Sequence, residues 1–238
     1  MGTRVRHLLS GLPKAMAPAA GRPFLEYVLL YLRTSGVDHA ILSTGYLAEM
    51  IENYVADRRL PGLTLTCVRE QEPLGTAGGF LNAIRCHRPS PDAWLVVNGD
   101  SLTLADLSRY RDVFSRGHWD AAVMGLRVSN TARFGTFEIA EDGSLKGFAE
   151  KKPGSGLINV GVYLFRHSLV ANFSSRDRLS FEFDVFPSLL ALGARILVYR
   201  VTSPFLDIGV PETLAQAESF IRVNMNRIVN GMEVPRDR

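Results

Sequence analysis

The chain has 238 residues, of which 46% are hydrophobic and 21% charged. This composition is typical of a globular protein and excludes disordered, collagenous and coiled-coil classes. Its 27 basic and 24 acidic residues give a net charge of +3 without a basic run, which argues against nucleic acid or a membrane as a partner. Two cysteines, with neither a signal peptide nor a membrane-length apolar stretch, predict a cytoplasmic protein.

Helices and strands alternate in the first half of the chain. Apolar spacing predicts helices from Pro23 to before Gly36, over 47–55 and over 76–84. The patterns over 39–44, 63–68 and 94–98 predict strands, the last of them with apolar residues on both faces. The alternation predicts an α/β fold with a doubly wound, mostly parallel sheet.

The rhythm changes after about residue 120. Strands over 134–139 and 145–149 flank an Asp142-Gly143 turn, which predicts a small antiparallel hairpin. A strand reading INVGVYLF follows, and then a helix over 181–192, a strand over 195–201 and a helix over 211–225. Without a long linker or repeat, residues 1–225 are predicted to form a single domain, followed by a polar tail over 226–238.

Two segments between these elements suit phosphate groups. Residues 1–23 form a loop rich in Gly, Pro and basic residues, which predicts backbone N–H groups and the cations Arg4 and Lys14 at a phosphate. The turn before helix 76–84 contains Gly75, which permits close approach of a ligand to a helix N-terminus. A frayed terminus and an ordinary strand-to-helix turn are the structural alternatives.

Two aspartates stand in positions that suit a metal ion. Asp100 directly follows the strand 94–98, at the carboxyl end where open α/β sheets bind ligands, and a carboxylate there suits Mg²⁺. Asp207, in FLDIGVP, is a lone acid among apolar residues and needs a partner or a metal. The alternative for Asp100 is an aspartate that caps the next helix.

The motifs GTR, PK, EPLGTAGG, NGDS, RFG, EKK, INVG and FLDIGVPE follow one another along the chain. In this order they resemble the sugar-1-phosphate nucleotidylyltransferases, with a Rossmann-like nucleotide-diphospho-sugar transferase fold, from Gly2 to about Ala217. The segments LPKAMAPAAGRPFLEY, EPLGTAGGF and FLDIGVPET most resemble the D-glycero-α-D-manno-heptose 1-phosphate guanylyltransferases of bacterial surface-polysaccharide synthesis. The resemblance implies that a sugar 1-phosphate attacks the α-phosphorus of a nucleoside triphosphate and that pyrophosphate leaves.

The resemblance also implies a role for each matched residue. Catalytic roles fall to Arg4, Lys14, Asp100 and Lys151, and Mg²⁺ would be held by Asp100 and Asp207. Nucleotide binding is implied for Gly2, Thr3, Glu70, Gly75 and Thr76, and sugar binding for Gly135, Glu150, Asn159, Gly161 and Glu182. Lys152 has no matched role, and a homo-oligomer is left open.

Glu70 favours GTP on physical grounds. Guanine presents its N1–H and N2–H donors side by side, and a carboxylate accepts both, whereas a pyrimidine suits an amide. Related pyrimidine-using enzymes often have Gln five residues before the matched glycine. The position therefore favours a guanylyltransferase, and a pyrimidine beside this carboxylate is the alternative.

The chain departs from the family pattern in two places. The family has a buried strand and GGxGTR where this chain starts at Met1-Gly2-Thr3-Arg4, so the expectation is that the first strand is missing because an internal methionine was taken as the start. Ala15 stands where the family usually has Pro after Lys14. The first departure leaves open a catalytically silent sugar-nucleotide-binding regulatory subunit.

Two further kinds of enzyme share parts of this pattern. A nucleotidylyltransferase that uses UTP or GTP with mannose, glucose or an amino-sugar phosphate keeps the same motifs. A glycosyltransferase on a similar sheet fits less well, because Asp100 is followed by Ser101-Leu102 instead of completing an Asp-x-Asp motif.

Overall fold

In this computed structural model, the described residues are 5–58, 60–85, 87–149, 154–174 and 178–230. Within them the α-helices are α1 (Phe24–Thr34), α2 (Ala48–Asp57), α3 (Gly75–Arg85), α4 (Leu107–Arg116), α5 (His167–Val170), α6 (Phe186–Ala191), α7 (Pro211–Leu214) and α8 (Ala217–Asn230). The strands are β1 (Pro18–Ala19), β2 (Arg22–Pro23), β3 (His39–Thr44), β4 (Thr64–Arg69), β5 (Ala93–Val97), β6 (Ser101–Thr103), β7 (Ala121–Val128), β8 (Thr136–Ile139), β9 (Leu145–Ala149), β10 (Gly156–Arg166), β11 (Ile196–Val201) and β12 (Phe205–Asp207).

The chain divides into two compact units, and neither is one continuous stretch. Unit 1 consists of Met1–Gln71, Gly99–Ser108 and Pro204–Arg238, and unit 2 consists of Glu72–Asn98 and Arg109–Ser203. The described part of the chain contains no helix that is both long and apolar enough to cross a bilayer.

The described residues of unit 1 form three small two-stranded sheets packed with helices. β3 and β4 pair in parallel, whereas β1 pairs with β2, and β6 with β12, in antiparallel fashion. Helix α1 is buried from Phe24 to Leu32, which is why its sequence is apolar almost all round. Its side chains Leu25 and Leu29 pack with Met16, Ile51 and Leu63 in the core of this unit.

A buried carboxylate ties the first elements of unit 1 together. The side chain of Glu26 in α1 is 1% exposed and accepts hydrogen bonds from Arg22, Tyr54 and Arg58. Because a buried charge is stable only when paired and hydrogen-bonded, these partners fix β2 and α2 against α1. The segment that leads from Lys14 into α1 is thereby anchored at its end.

Unit 2 is built on a six-stranded sheet. β10 pairs with β7 along one edge, while β8 and β5 share its other edge, and all three neighbours run antiparallel to it. β11 pairs with β7 in parallel and β9 completes the hairpin with β8. Four of the six strands therefore run in one direction, with β10 and β9 reversed.

An aromatic cluster fills the core of unit 2. The rings of Phe80, Tyr163, Phe165, Phe181 and Phe186 lie against one another, and those of Phe165 and Phe181 stack with centroids 5.2 Å apart. Such ring pairs stabilise a core beyond the apolar area that they bury. The cluster fixes β10 against the segment that follows residue 178.

The predicted α/β class, the mostly shared strand direction and the antiparallel hairpin are confirmed. β3 has the predicted bounds, and the hairpin of β8 and β9 turns at Gly143, where φ is +84°. Pro23 is the residue before α1 rather than its first residue. The pattern did not identify α4 or β7.

Two predicted helices have a different form. The helix over 181–192 begins as a turn of π-helix, Phe181–Val185, because the Ser180 carbonyl accepts from the N–H groups of both Asp184 and Val185, each at 3.1 Å. The helix over 211–225 is divided into α7 and α8, and the Gln216 N–H donates to the Thr213 carbonyl, three residues before it, at 3.1 Å in the turn between them. α8 continues to Asn230, so it includes the first five residues of the segment predicted as a tail.

Candidate functional site

Lys14 and Asp100 form an ion pair in unit 1. Lys14 begins a short 3-10 turn after Pro13, and Asp100 immediately precedes β6. The Lys14 Nζ lies 2.6 Å from Asp100 Oδ2, with side chains that are 16% and 35% exposed. Partial burial reduces the screening of this pair by water. The structure thus joins two predicted catalytic residues that are 86 positions apart.

Strand pairing brings Asp207 to the same place. Asp207 ends β12 and lies opposite Ser101 of β6, next to the buried pair Leu206 and Leu102. Because side chains alternate along a strand, burial of the two leucines directs Ser101 and Asp207 to the other face. The Ile208 N–H also donates to the Asp100 carbonyl at 3.1 Å.

One hydroxyl stands between the two carboxylates. Ser101 Oγ is 3.3 Å from Asp100 Oδ1 and 3.4 Å from Asp207 Oδ2. The Gly209 N–H donates to Asp207 Oδ1 at 2.6 Å. A Cβ on Gly209 would lie 2.4 Å from Asp207 Oδ1 and 3.1 Å from Lys14 Nζ, so only glycine leaves this space open. We refer to Lys14, Asp100, Ser101, Asp207 and Gly209 as the acid cluster.

The donor atoms of the acid cluster suit a hard divalent cation. Two carboxylates beside one hydroxyl supply oxygen ligands, which Mg²⁺ prefers. Among the described residues no group of three or more His, Cys, Asp or Glu side chains is arranged to hold a metal. A metal at Asp100 and Asp207 would therefore need oxygen ligands from water or substrate, as is usual for Mg²⁺ at phosphates.

Glu70 lies at the carboxyl ends of the parallel strands β3 and β4, also in unit 1. Its Oε1 accepts from the Ser43 hydroxyl at 2.8 Å, and its N–H donates to the Thr44 carbonyl at 2.7 Å. A Cβ on Gly45 would lie 3.6 Å from Glu70 Oε2. The carboxylate is thus held beside a bare backbone, at the edge where α/β sheets bind ligands.

A second polar cluster forms in unit 2 around Glu182. Its Oε1 accepts from Asn159 Nδ2 at 3.0 Å and from the Tyr163 hydroxyl at 2.9 Å, and its Oε2 accepts from the Ser180 hydroxyl at 2.8 Å. Asn159 Nδ2 also donates to the Tyr163 oxygen at 2.8 Å, and Asn159 Oδ1 accepts from the Gly161 N–H at 2.9 Å. We call these five residues the Glu182 cluster.

Backbone irregularities place the Glu182 cluster. The pairing of β10 with β7 shifts register between Asn159 and Tyr163, and Glu182 lies in the π-helical turn. Such bulges and π-turns redirect side chains and are common near functional sites. Burial and the neighbouring Glu182 carboxylate raise the pKa of Tyr163 well above its ordinary value, so its hydroxyl keeps its proton and donates.

Two glycines of unit 2 are required by close contacts. Gly161 has φ +77° and a Cβ there would lie 2.4 Å from Asn98 Nδ2, and Gly75 has φ +76° with a Cβ 2.4 Å from the Leu179 carbonyl oxygen. That carbonyl also accepts from the Ala77 and Gly78 N–H groups, at 3.0 and 3.3 Å. The N-terminus of α3 therefore uses two of its free donors within the protein instead of offering them to an anion.

The remaining predicted residues are placed as follows. Thr76 Oγ1 accepts from the Phe181 N–H at 3.2 Å, and Gly135 directly precedes β8. Gly2, Thr3, Arg4, Glu150, Lys151 and Lys152 lie outside the described residues, as does Cys86. Nucleotide binding by Gly75 and Thr76, and sugar binding by Gly135, stay predictions.

Sequence reasoning missed Ser101 and Gly209 of the acid cluster, Tyr163 and Ser180 of the Glu182 cluster, and Ser43 beside Glu70. Ser101 follows Asp100 directly and Tyr163 belongs to the INVGVYLF strand, so both lie next to residues that were predicted for the site. Ser43 and Ser180 could not be identified from the sequence. Ser43 reaches Glu70 through strand pairing and Ser180 reaches Glu182 through a turn, and a serine by itself predicts neither contact.

Comparison with known proteins identifies the family. The nucleotidyl transferase profile matches residues 1–224. The chain belongs to the nucleotidyl transferase family. The family predicted from the order of the motifs is thereby confirmed, and with it the prediction of an enzyme.

Individual relatives agree with the family. The chain is 35% identical over 219 residues to D-glycero-alpha-D-manno-heptose 1-phosphate guanylyltransferase of Aneurinibacillus thermoaerophilus, which covers 92% of this chain and 93% of that protein. It is 34% identical over 221 residues to mannose-1-phosphate guanylyltransferase of Mycobacterium tuberculosis, covering 92% of this chain but only 61% of the mycobacterial protein. The crystal structure of HddC from Yersinia pseudotuberculosis complexed with GMP-PN matches with a TM-score of 0.77 and 29% identity, covering 87% of this chain and 88% of HddC.

Proposed function

We propose that this chain transfers GMP from GTP to a sugar 1-phosphate, D-glycero-α-D-manno-heptose 1-phosphate being the favoured acceptor. The products are pyrophosphate and a GDP-sugar for surface-polysaccharide synthesis in the cytoplasm. The observation that carries the proposal is the acid cluster, in which a lysine and two distant aspartates converge in a member of the nucleotidyl transferase family. The heptose and mannose guanylyltransferases among its relatives support guanine as the base.

The chemistry requires positioning and charge neutralisation rather than a covalent enzyme intermediate. An oxygen of the sugar phosphate forms a bond to the α-phosphorus of GTP, and the bond from that phosphorus to the bridging oxygen of pyrophosphate breaks. Asp100 and Asp207 would hold Mg²⁺, which when bound supplies positive charge to the phosphates. Lys14 would supply a further cation to the triphosphate.

Glu70 is proposed to read the base. Its carboxylate accepts from Ser43 through Oε1, and two acceptor oxygens in one plane match the paired N1–H and N2–H donors of guanine. The placement beside Gly45 supports this role, because the bare backbone gives a flat base room to approach.

The Glu182 cluster is proposed to bind the sugar. In the described structure Asn159 uses both amide hydrogens on Tyr163 and Glu182, so its contribution is to orient Glu182 as well as to line the site. Gly161, whose N–H donates to Asn159, has no side chain beside this cluster. A carboxylate held by three donors is a rigid acceptor for sugar hydroxyls.

The proposal is tested by pyrophosphate release with GTP, UTP and ATP, each combined with heptose, mannose or glucose 1-phosphate, in Mg²⁺ or in EDTA. We expect release with GTP and the heptose phosphate in Mg²⁺ alone. Asp100→Asn and Asp207→Asn should each reduce turnover by about 100-fold or more, since removal of one electrostatic contact to the transition state costs that much. Their thermal unfolding should stay close to that of the wild type.

Three other outcomes would change the assignment of the sugar, of the base or of the enzymatic activity. Faster release with mannose 1-phosphate would reassign the sugar, and faster release with UTP would reassign the base. The absence of release with every pair, from a folded chain, would favour the sugar-nucleotide-binding regulatory subunit.

A further inference from the structure

Lys14 makes its observed ion pair with one of the two residues proposed to hold the metal. Its Nζ is 2.6 Å from Asp100 Oδ2. It also lines the space above Gly209 that Asp207 Oδ1 borders, since a Cβ on Gly209 would contact both atoms. The ammonium therefore lies among the same oxygen atoms that a divalent ion would need.

The charges of the acid cluster make the two cations competitors. Two carboxylates and one ammonium leave a single net negative charge in a half-buried setting. A divalent ion brought to Asp100 would meet the ammonium of Lys14 at short range, and like charges at such a distance repel strongly where water is partly excluded. We therefore expect the affinity of the cluster for a metal ion by itself to be low.

A triphosphate changes this balance. It offers several negative oxygens, and a lysine side chain has four rotatable methylene groups that let its ammonium move to a new partner. If Lys14 paired with a phosphate instead, Asp100 Oδ2 would become available to a divalent ion.

We propose that Lys14 blocks the metal site until nucleotide binds: it pairs with Asp100 in the nucleotide-free chain and moves to the triphosphate in the complex, so that a divalent ion binds tightly only together with the nucleotide. This inference rests on the proposed metal role of Asp100 and Asp207. It adds that the Lys14 ammonium, through its ion pair with Asp100, keeps the affinity of the chain for free metal low.

The test measures binding of Mn²⁺ alone by electron paramagnetic resonance, which follows free Mn²⁺ and needs no turnover. Lys14→Gln should bind Mn²⁺ roughly tenfold more tightly than the wild type, because an adjacent positive charge is removed. Lys14→Arg keeps the charge and should bind as weakly as the wild type. Lys146→Gln is the matched control: it makes the same change of net charge at an exposed position in β9 and should leave Mn²⁺ binding unchanged.

The same variants are then titrated with GTP in the presence of Mn²⁺. The inference requires that Lys14→Gln weaken binding of the Mn²⁺–GTP complex while it strengthens binding of Mn²⁺ alone. Equal or weaker binding of Mn²⁺ alone by Lys14→Gln, in a chain whose circular dichroism matches that of the wild type, would overturn it. Should Lys14→Gln fail to fold, tight Mn²⁺ binding by Lys14→Arg would overturn it as well.

A further pair of variants separates this inference from the proposed function. In the Lys14→Gln background, Asp100→Asn and Asp207→Asn should each abolish the gain in Mn²⁺ affinity. If the gain persists in both double variants, the ion binds elsewhere and the metal assignment fails together with the inference. If the aspartates are required for Mn²⁺–GTP binding but Lys14→Gln brings no gain with Mn²⁺ alone, only the inference fails.

Discussion

At the scale of single residues, one serine hydroxyl orients the carboxylate that we expect to read the base. Glu70→Gln should weaken binding of GTP by about 10- to 100-fold relative to UTP, because a hydrogen bond to a charged group contributes about 1.5–3 kcal/mol. Ser43→Ala should act in the same direction but less strongly, since it removes a hydrogen bond to Glu70 and leaves the carboxylate in place. Equilibrium dissociation constants for GTP and UTP measure both effects.

Thr66→Ala is the control for this pair. Thr66 lies in β4, the strand that leads to Glu70, but its hydroxyl contacts His39 at 2.9 Å, so its loss should not change the preference for GTP. A uniform loss of affinity for GTP and UTP in Glu70→Gln would argue against base reading at this position.

A glycine provides a second prediction at the residue scale. Gly161→Ala should lower the free energy of unfolding by more than Gly143→Ala, although both positions have a positive φ, +77° and +84° respectively. The left-handed conformation costs a side chain about 1–2 kcal/mol at either site. A Cβ at Gly161 would in addition collide with Asn98, whereas nothing lies within 4 Å of one at Gly143. Urea unfolding of the two variants gives the comparison, and equal losses would contradict the collision.

At the scale of elements, the Glu182 cluster couples β10 to the π-helical turn. Tyr163→Phe removes a hydroxyl that donates to Glu182 and accepts from Asn159. The loss of this buried partner should lower stability by about 1–3 kcal/mol. It should also raise the KM for the sugar phosphate while leaving the affinity for GTP unchanged, which steady-state kinetics and direct nucleotide binding can separate.

Tyr27→Phe is the matched control in the other unit. The Tyr27 hydroxyl donates to the Ala20 carbonyl at 2.9 Å, so its removal should lower stability without a change in the KM for the sugar phosphate. If Tyr163→Phe altered stability alone, Glu182 would be a structural carboxylate and not part of the sugar site.

The elements that the sequence predicted are those with local signals. β3 has the short apolar run 40–42, and the β8–β9 hairpin has an Asp-Gly turn, so both could be predicted without knowledge of the fold. β6 and β12 have only three residues each, which is too short to show the alternation of apolar and polar residues that predicts a strand. Their pairing, which brings Asp207 to Ser101, depends on residues more than 100 positions apart. The sequence could therefore indicate both aspartates but not what lies between them.

At the scale of the whole molecule, the alternation of helices and strands was sufficient to predict an α/β class. The division into units was not predictable in the same way. Gly99–Ser108 belongs to unit 1 although the stretches on both sides of it belong to unit 2. This segment contains β6, and its pairing with β12 places it in unit 1. Long-range pairing of short strands leaves no periodic trace in a sequence.

Binding of the nucleotide with its metal should raise the thermal stability of the whole chain. A ligand that binds only the folded chain stabilises it by about 2.7 kcal/mol at 100 times its dissociation constant. For a chain of this size that corresponds to an increase in Tm of roughly 5–10 °C. GTP with Mg²⁺ should therefore raise the Tm by this amount, UTP should raise it less, and EDTA should reduce the effect of GTP.

In Asp207→Asn the part of the Tm shift that depends on Mg²⁺ should disappear. Differential scanning fluorimetry measures all four conditions. Equal shifts for GTP and UTP, or a GTP shift that is insensitive to EDTA in the wild type, would contradict a guanine-specific site that binds the nucleotide together with its metal.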